Sequence, residues 1–175
     1  MNDYRTVETT RLTGARNFSF QSDKDIENGA IVGKGELVAG ERDVYVALDD
    51  FTDGKFLVAN PAWSYNDNSV TDQNEENFIN PAGVSFRVYE LKKDHKFKIG
   101  NIAETFEKND VLKYDATTGK FAKDASGDFK VETVDEVGFP YCIGSIGAPV
   151  PGDTSNAYGY ATGAKGVKYV LRVIK

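Results

Sequence analysis

A small antiparallel β-sandwich or barrel is the fold class that the sequence predicts. Short apolar or alternating runs recur about every ten residues between turns rich in Asn, Asp and Gly, which is the pattern of hairpin-connected strands. No window shows the sustained 3.6-residue periodicity of an amphipathic helix. Hydrophobic residues make up 40% of the 175 residues and include 11 Phe and 9 Tyr, so the chain can build a packed core.

The first β region is predicted to span residues 21–99. Turn pairs at Asn28-Gly29 and Asp53-Gly54 precede short apolar runs, and residues 44–48 form another such run, as expected of hairpins. Residues 60–81 interrupt the pattern with a long stretch rich in Asn, Asp and Glu. We interpret this stretch as an acidic surface loop, because it is long for a plain connection.

The second β region is predicted to span residues 100–175. Residues 106–123 read as two strands around a polar turn, and residues 169–174 form a closing strand. A Gly-rich loop is predicted over residues 144–166. Residues 26–38 and 106–122 share a weak similarity, a small polar turn followed by an apolar strand and a hairpin. This similarity suggests a duplication, with two β subdomains as one form of the fold.

Residues 1–20 are predicted to form an extended N-terminal arm. The segment is mostly polar and locally basic, with Arg5, Arg11 and Arg16 spaced along it. We therefore expect it to be dispensable for folding and to dock on an acidic partner.

The charge and the composition argue against several classes of partner. The net charge of −6 argues against nucleic acid, since phosphate binding relies on clustered Lys and Arg. No stretch approaches the roughly 20 apolar residues of a membrane helix. The N-terminal residues lack the apolar run of a signal peptide, so we expect synthesis and folding in a cytosol. A single cysteine excludes an intramolecular disulfide.

No catalytic, cofactor-binding or metal site is predicted. His95 is the only histidine, and it lies in a charged turn without a second ligand beside it. Cys142 lies in an apolar run and is expected to be buried and unreactive. The acidic loop and a second acidic turn at Asp49, Asp50 and Asp53 offer oxygen ligands for calcium, but they lack the EF-hand spacing. We interpret both as solvated, and calcium binding by the loop stays open.

Several segments resemble the capsid decoration, or cement, proteins of tailed bacteriophages. The resemblance covers most of residues 25–175 and is carried by the turns Asn28-Gly29 and Asn109-Asp110, each before an apolar strand, by residues 80–83 with 87–89, and by a terminal strand that ends in basic residues. It implies a non-enzymatic virion protein that is made in the cytoplasm of a bacterial host, lies on the capsid surface and stabilises the assembled shell. The implied partners are the major capsid protein and copies of itself.

Two other functions are compatible with the sequence. A carbohydrate-binding β module would use exposed aromatic rings as stacking platforms, and the candidates are Trp63, Tyr65, Tyr158 and Tyr160. These four residues, with the three arginines of the arm, are the predicted partner-binding residues. A small acidic hydrolase would instead use paired carboxylates, which a single sequence does not identify.

Overall fold

A computed structural model describes residues 7–61, 78–100, 105–137 and 166–175. These residues form an all-β protein, which confirms the predicted fold class, and no helix occurs among them. The described strands are β1 (Val7–Glu8), β2 (Asn17–Gln21), β3 (Ile26–Glu27), β4 (Ile31–Leu37), β5 (Val44–Leu48), β6 (Lys55–Val58), β7 (Ile79–Asn80), β8 (Phe86–Leu91), β9 (Lys96–Ile99), β10 (Val111–Asp115), β11 (Lys120–Lys123), β12 (Phe129–Val137) and β13 (Gly166–Val173).

Five strands close a barrel in the order β2-β5-β4-β6-β8. All neighbouring pairs are antiparallel except β2 and β5, which run parallel. Phe20 and Phe56 fill the interior with ring centroids 5.0 Å apart, and Phe18 packs edge-on against Phe56 at 5.5 Å. Alternate residues of the strands therefore point inward, as the period of two requires.

A second, open sheet has the order β1-β9-β13-β12-β10-β11. Its inner face carries fully buried aromatic rings that pack edge to face. Phe121 lies 5.1 Å from both Phe129 and Tyr114 between ring centroids, and Phe97 lies 6.0 Å from Phe129. Such pairs stabilise by about 0.5–1.5 kcal/mol beyond the area that they bury.

The two sheets repeat one five-stranded unit. When the five strands of each unit are counted along the chain, the barrel has them side by side in the order third, second, fourth, fifth, first (β5-β4-β6-β8-β2). The second sheet has the same order in β11-β10-β12-β13-β9. The cross-strand registers also match. Equivalent pairs are Val32–Phe56 with Leu112–Phe129, Lys34–Ala47 with Tyr114–Phe121, and Phe18–Val88 with Phe97–Leu171. The weak sequence similarity between the two halves thus corresponds to a structural duplication.

The turn before the second strand of each unit is also repeated. Gly29 and Asn109 both have positive φ, at 88° and 76°. The hydrogen bonds around them match: Gly29 N to Val58 O at 2.8 Å and Val58 N to Ala30 O at 2.9 Å, against Asn109 N to Val131 O at 2.9 Å and Val131 N to Asp110 O at 2.9 Å. Gly and Asn tolerate this backbone region best, which explains why these two residue types occupy the turn.

The second unit does not close because β1 occupies the edge of its first strand. In the barrel, Ser19 of β2 pairs with Val44 of β5. At the position equivalent to Ser19, Lys98 of β9 pairs instead with Glu8 of β1. The edge that β11 would need is therefore taken by the N-terminal segment, and the sheet stays open.

The outer wall of the barrel fills the open face of the second unit. Ile31 and Leu57 pair across β4 and β6 on the face opposite Phe56, yet they are fully buried. They share one hydrophobic core with Phe121, Phe129 and the other inner residues of the second sheet. A partly buried ion pair between Lys55 and Asp128, at 2.8 Å, also joins the two units.

The predicted arm and domain boundary are corrected by this arrangement. Residues 17–20 lie in β2 of the barrel, β1 belongs to the second sheet, and Leu12 is buried in the shared core. Only residues 1–6 of the predicted arm lie outside the described residues. β9, which was assigned to the first region, is the first strand of the second unit. The arm prediction was wrong because it rested on the average polarity of residues 1–20. Phe18 and Phe20 alternate with polar residues, as a half-buried strand requires.

Both predicted long loops connect the fourth and fifth strands of their units. The acidic loop follows β6, and the Gly-rich loop follows β12 and overlaps β13 only at Gly166. Buried amides pin the two ends of the acidic loop: Asn80 Nδ2 donates to Ile26 O at 2.9 Å, and Asn28 Nδ2 donates to Asn60 O at 2.8 Å. Residues 62–77 and 138–165 lie outside the described residues.

Replacing Leu12 tests whether the N-terminal segment belongs to the core. We expect Leu12→Ala to lower the free energy of unfolding by about 2–5 kcal/mol, because it opens a cavity in the shared core. The exposed neighbour serves as control, and Thr13→Ala should change the value by less than about 0.5 kcal/mol. Urea denaturation measures both, and equal small effects would restore the arm interpretation.

The repeated turn gives a second prediction. Asn109 is exposed and left-handed, so Asn109→Gly should be about neutral whereas Asn109→Ala should destabilise by about 1 kcal/mol. Lys108→Ala, in the same turn, is the control. A higher melting temperature for Asn109→Ala than for Asn109→Gly would show that the positive φ does not determine the stability of this turn.

Candidate partner-binding surface

β5 is apolar on both of its faces. Tyr45 and Ala47 point into the barrel, while Val44, Val46 and Leu48 point outward. Val46 and Leu48 are 37% and 41% exposed. Antiparallel strands with one solvated face normally carry polar residues on that face. The outward face of β5 is therefore apolar where a solvated face is usually polar.

A glycine on β4 lets these side chains lie close to the sheet. A Cβ on Gly35 would lie 3.2 Å from both Leu48 Cγ and Val46 Cβ, and 2.8 Å from Val46 O. A larger residue would therefore push the two side chains away. At the end of β4, beyond a bulge, Leu37 pairs with Tyr45 and is 50% exposed. The result is a low apolar surface instead of isolated protruding groups.

Two cations stack on the aromatic rings at one end of the barrel. The Arg16 guanidinium carbon lies 5.0 Å from the Phe18 ring centroid, and Lys34 Nζ lies 3.9 Å from that of Tyr45. Lys34 also lies 5.3 Å from the Phe18 centroid. Such contacts contribute about 0.5–1 kcal/mol each at exposed sites and hold the cations in place.

A shallow depression of about 400 Å³ adjoins this cluster. It is lined by Asn17, Phe18, Ser19, Asp43, Tyr45 and Arg87. We call the outward residues of β5, together with Leu37, Arg16, Lys34 and Tyr45 at the adjoining end of the barrel, the β5 surface. An apolar centre with Arg and Tyr beside it has the composition of a protein–protein contact.

Of the predicted partner-binding residues, the structure brings only Arg16 into this surface. Arg11 is exposed between β1 and β2 and takes no part in the stacking. Arg5, Trp63, Tyr65, Tyr158 and Tyr160 lie outside the described residues. Sequence reasoning missed Val46, Leu48 and Lys34. The available signal was the run of five consecutive apolar residues at 44–48, which exceeds what a half-exposed strand needs.

Comparison of the chain with protein-family models, with curated proteins and with solved structures finds no match. The resemblance to capsid decoration proteins therefore stays a prediction. Within the described ranges, no helix is long and apolar enough to cross a membrane.

A cavity of about 260 Å³ lies between the barrel and the β10–β11 hairpin. Tyr114 lines it and is hydrogen-bonded to the Ile31 backbone. Burial raises the pKa of Tyr114, and this effect outweighs the opposing hydrogen bond. The hydroxyl therefore stays protonated and serves to join the two units. At the rim, Lys24 Nζ and Asp49 Oδ2 form an exposed ion pair at 2.6 Å.

The acidic turns within the described residues bind their own backbone. Asp50 Oδ1 accepts hydrogen bonds from Thr52 N at 3.1 Å and from Thr52 Oγ1 at 2.7 Å. The described part of the chain contains no group of three or more His, Cys, Asp or Glu that could hold a metal ion. His95 Nδ1 accepts a hydrogen bond from Lys92 N at 3.2 Å, within the turn between β8 and β9. The acidic loop and Cys142 are not covered by these observations.

Three turn carboxylates in the second unit have lowered pKa values. The backbone N–H of Thr117, with the Thr118 hydroxyl, lowers the pKa of Asp115. The Ser126 hydroxyl and backbone N–H lower that of Asp124. The backbone N–H of Glu107, followed by Lys123, lowers that of Asp110. Each carboxylate accepts these hydrogen bonds more strongly when it is ionised, so protonation weakens the turns.

These shifts predict a loss of stability in acid. Because the pKa of each carboxyl in the folded state lies below its ordinary value of 3.8, the stabilisation is present above that pH and is lost as the pH falls through the lower folded pKa. We expect Asp124→Asn to be less sensitive to acid than the wild type in urea titrations between pH 2 and 6. Asp53→Asn is the surface control. Parallel acid profiles for wild type and Asp124→Asn would contradict this assignment.

Proposed function

We propose that the protein is a non-enzymatic structural protein that binds an assembled bacteriophage capsid and stabilises it. The observation that carries the proposal is the β5 surface, an outward strand face of apolar side chains beside fixed cations. Neighbouring exposed apolar side chains such as Val46 and Leu48 are a feature of protein–protein contact sites. A partner that covers them gains about 25 cal/mol per Å² of apolar area removed from water.

The type of contact fits a broad protein surface better than a small ligand. The β5 surface is low and open, whereas small-molecule sites are concave and bury most of their ligand. A cement protein acts by mass action, since it stabilises the state to which it binds, the assembled shell over its free subunits. The resemblance over residues 25–175 supplies the capsid as the specific partner, with its two turn motifs at equivalent places in the repeated units.

The two rival functions receive less support from the described residues. Phe18 and Tyr45 carry Arg16 and Lys34 over their rings, so a sugar ring could not stack on those covered faces. A hydrolase of the two-carboxylate type needs one carboxyl with a raised pKa. Among the described carboxyl groups, those whose pKa is shifted all have a lowered pKa; they are Asp110, Asp115 and Asp124.

Co-sedimentation with mature heads and with unassembled capsid protein tests the proposal. We expect the wild type to pellet with the heads alone and to raise their resistance to heat. Binding should weaken modestly with salt, because Arg16 is exposed and its charge is screened. Failure of the wild type to bind heads of its own phage would contradict the proposal. Binding of the wild type to glycans would instead support the carbohydrate-binding module.

A matched pair of variants tests the surface itself. Val46→Lys with Leu48→Lys places two charges on the β5 surface, and we expect at least about a tenfold loss of affinity for heads. Val84→Lys is the control, since Val84 is 52% exposed but lies in the turn before β8. Thermal denaturation checks that each variant is folded. Equal binding by all variants would show that another face makes the contact.

A further inference from the structure

Three cations form a row across the outer face of the second sheet. Arg172 of β13 lies directly opposite Lys96 of β9 on one side and Lys130 of β12 on the other. The residues next to them in sequence, such as Phe129 and Leu171, are buried in the core. The alternation of the strands therefore turns all three cations outward, away from the barrel.

Among the described residues, one acidic side chain lies within ion-pair distance of this row. A bulge between Val131 and Thr133 adds Glu132 to β12. Its carboxylate lies 2.7 Å from Lys96 Nζ and 3.5 Å from Arg172 Nε. Arg172 Nε makes no hydrogen bond although it is buried. No described carboxylate lies within ion-pair distance of Lys130, so the row keeps an excess of two positive charges.

This arrangement is unfavourable for the free protein. Like charges directly opposite each other on neighbouring strands destabilise a sheet. The chain has a net charge of −6, so the row does not follow from its average composition. Arg172 also presents planar donors that match a carboxylate in two parallel hydrogen bonds. A partner that brings carboxylates to the row would relieve the repulsion between its cations.

We propose that this cation row, Lys96, Arg172 and Lys130, docks on a carboxylate-bearing surface of a partner protein. The inference rests on the proposed function, in which the partner is the capsid shell. The row lies on the outer face of the second sheet, and the β5 surface lies on the barrel, which packs against the inner face of that sheet through Ile31 and Leu57. One molecule then presents an apolar surface on one unit and a cationic surface on the other, which suits the bridging of two neighbouring capsomers. A carboxylate-bearing protein is favoured over a nucleic acid because the row has only three cations, whereas phosphate binding relies on larger clusters of Lys and Arg.

Reversing the central unpaired charge tests the row. Lys130→Glu should lower the affinity for heads at low salt by about tenfold, because close charge pairs across an interface contribute strongly. Lys108→Glu, an exposed change of the same net charge, should alter it by less than about twofold. Lys130→Glu should also melt no lower than the wild type, since it replaces a like-charge contact with Arg172 by an attractive one.

Two soluble probes separate this inference from the proposed function. Poly-L-glutamate should bind the wild type and bind Lys130→Glu about tenfold more weakly, whether or not heads bind. If the wild type fails to bind heads, the proposed function is lost, and the poly-L-glutamate result alone decides for or against the row. Equal affinity of Lys130→Glu and the wild type for both ligands would overturn the inference. Tighter binding of a DNA duplex than of poly-L-glutamate would also overturn it, in favour of nucleic acid.

Discussion

The packing of the barrel wall into the open second sheet is the contact on which the rest of the structure depends. Ile31 and Leu57 lie on the outside of the barrel and would be exposed if it stood alone. The rings of Phe121 and Phe129 would likewise face water if the second sheet had nothing to cover it. Each unit thus completes the core of the other, and Tyr114 fixes the junction by its hydrogen bond to the Ile31 backbone.

The duplication explains how one chain builds two different units from one strand order. Both units keep the left-handed turn at Gly29 or Asn109 and the same register between their second and fourth strands. They differ at the edge of the first strand, where β2 joins β5 in one unit and β9 joins β1 in the other. In the open unit, the edge that pairs with a third strand in the barrel is paired with the N-terminal segment.

The junction also determines which faces remain for a partner. The outward residues Val46 and Leu48 of β5 are left uncovered by the second sheet and stay exposed. The outer face of the second sheet, which points away from the barrel, carries Lys96, Arg172 and Lys130 in one row. The proposed bridging role follows from this pair of outward faces, one apolar and one cationic.

The sequence by itself determined the all-β class, the positions of most strands and the repeated turn, because alternation and turn chemistry act over a few neighbouring residues. Of the candidate site it identified Arg16 alone. Tertiary structure decided that residues 17–20 enter the barrel, that β9 joins the second unit and that the outward face of β5 stays uncovered. The cation row depends on pairing Lys96 with Arg172, which lie far apart in the chain. Such register is set by the packing of the whole core, and no local pattern encodes it.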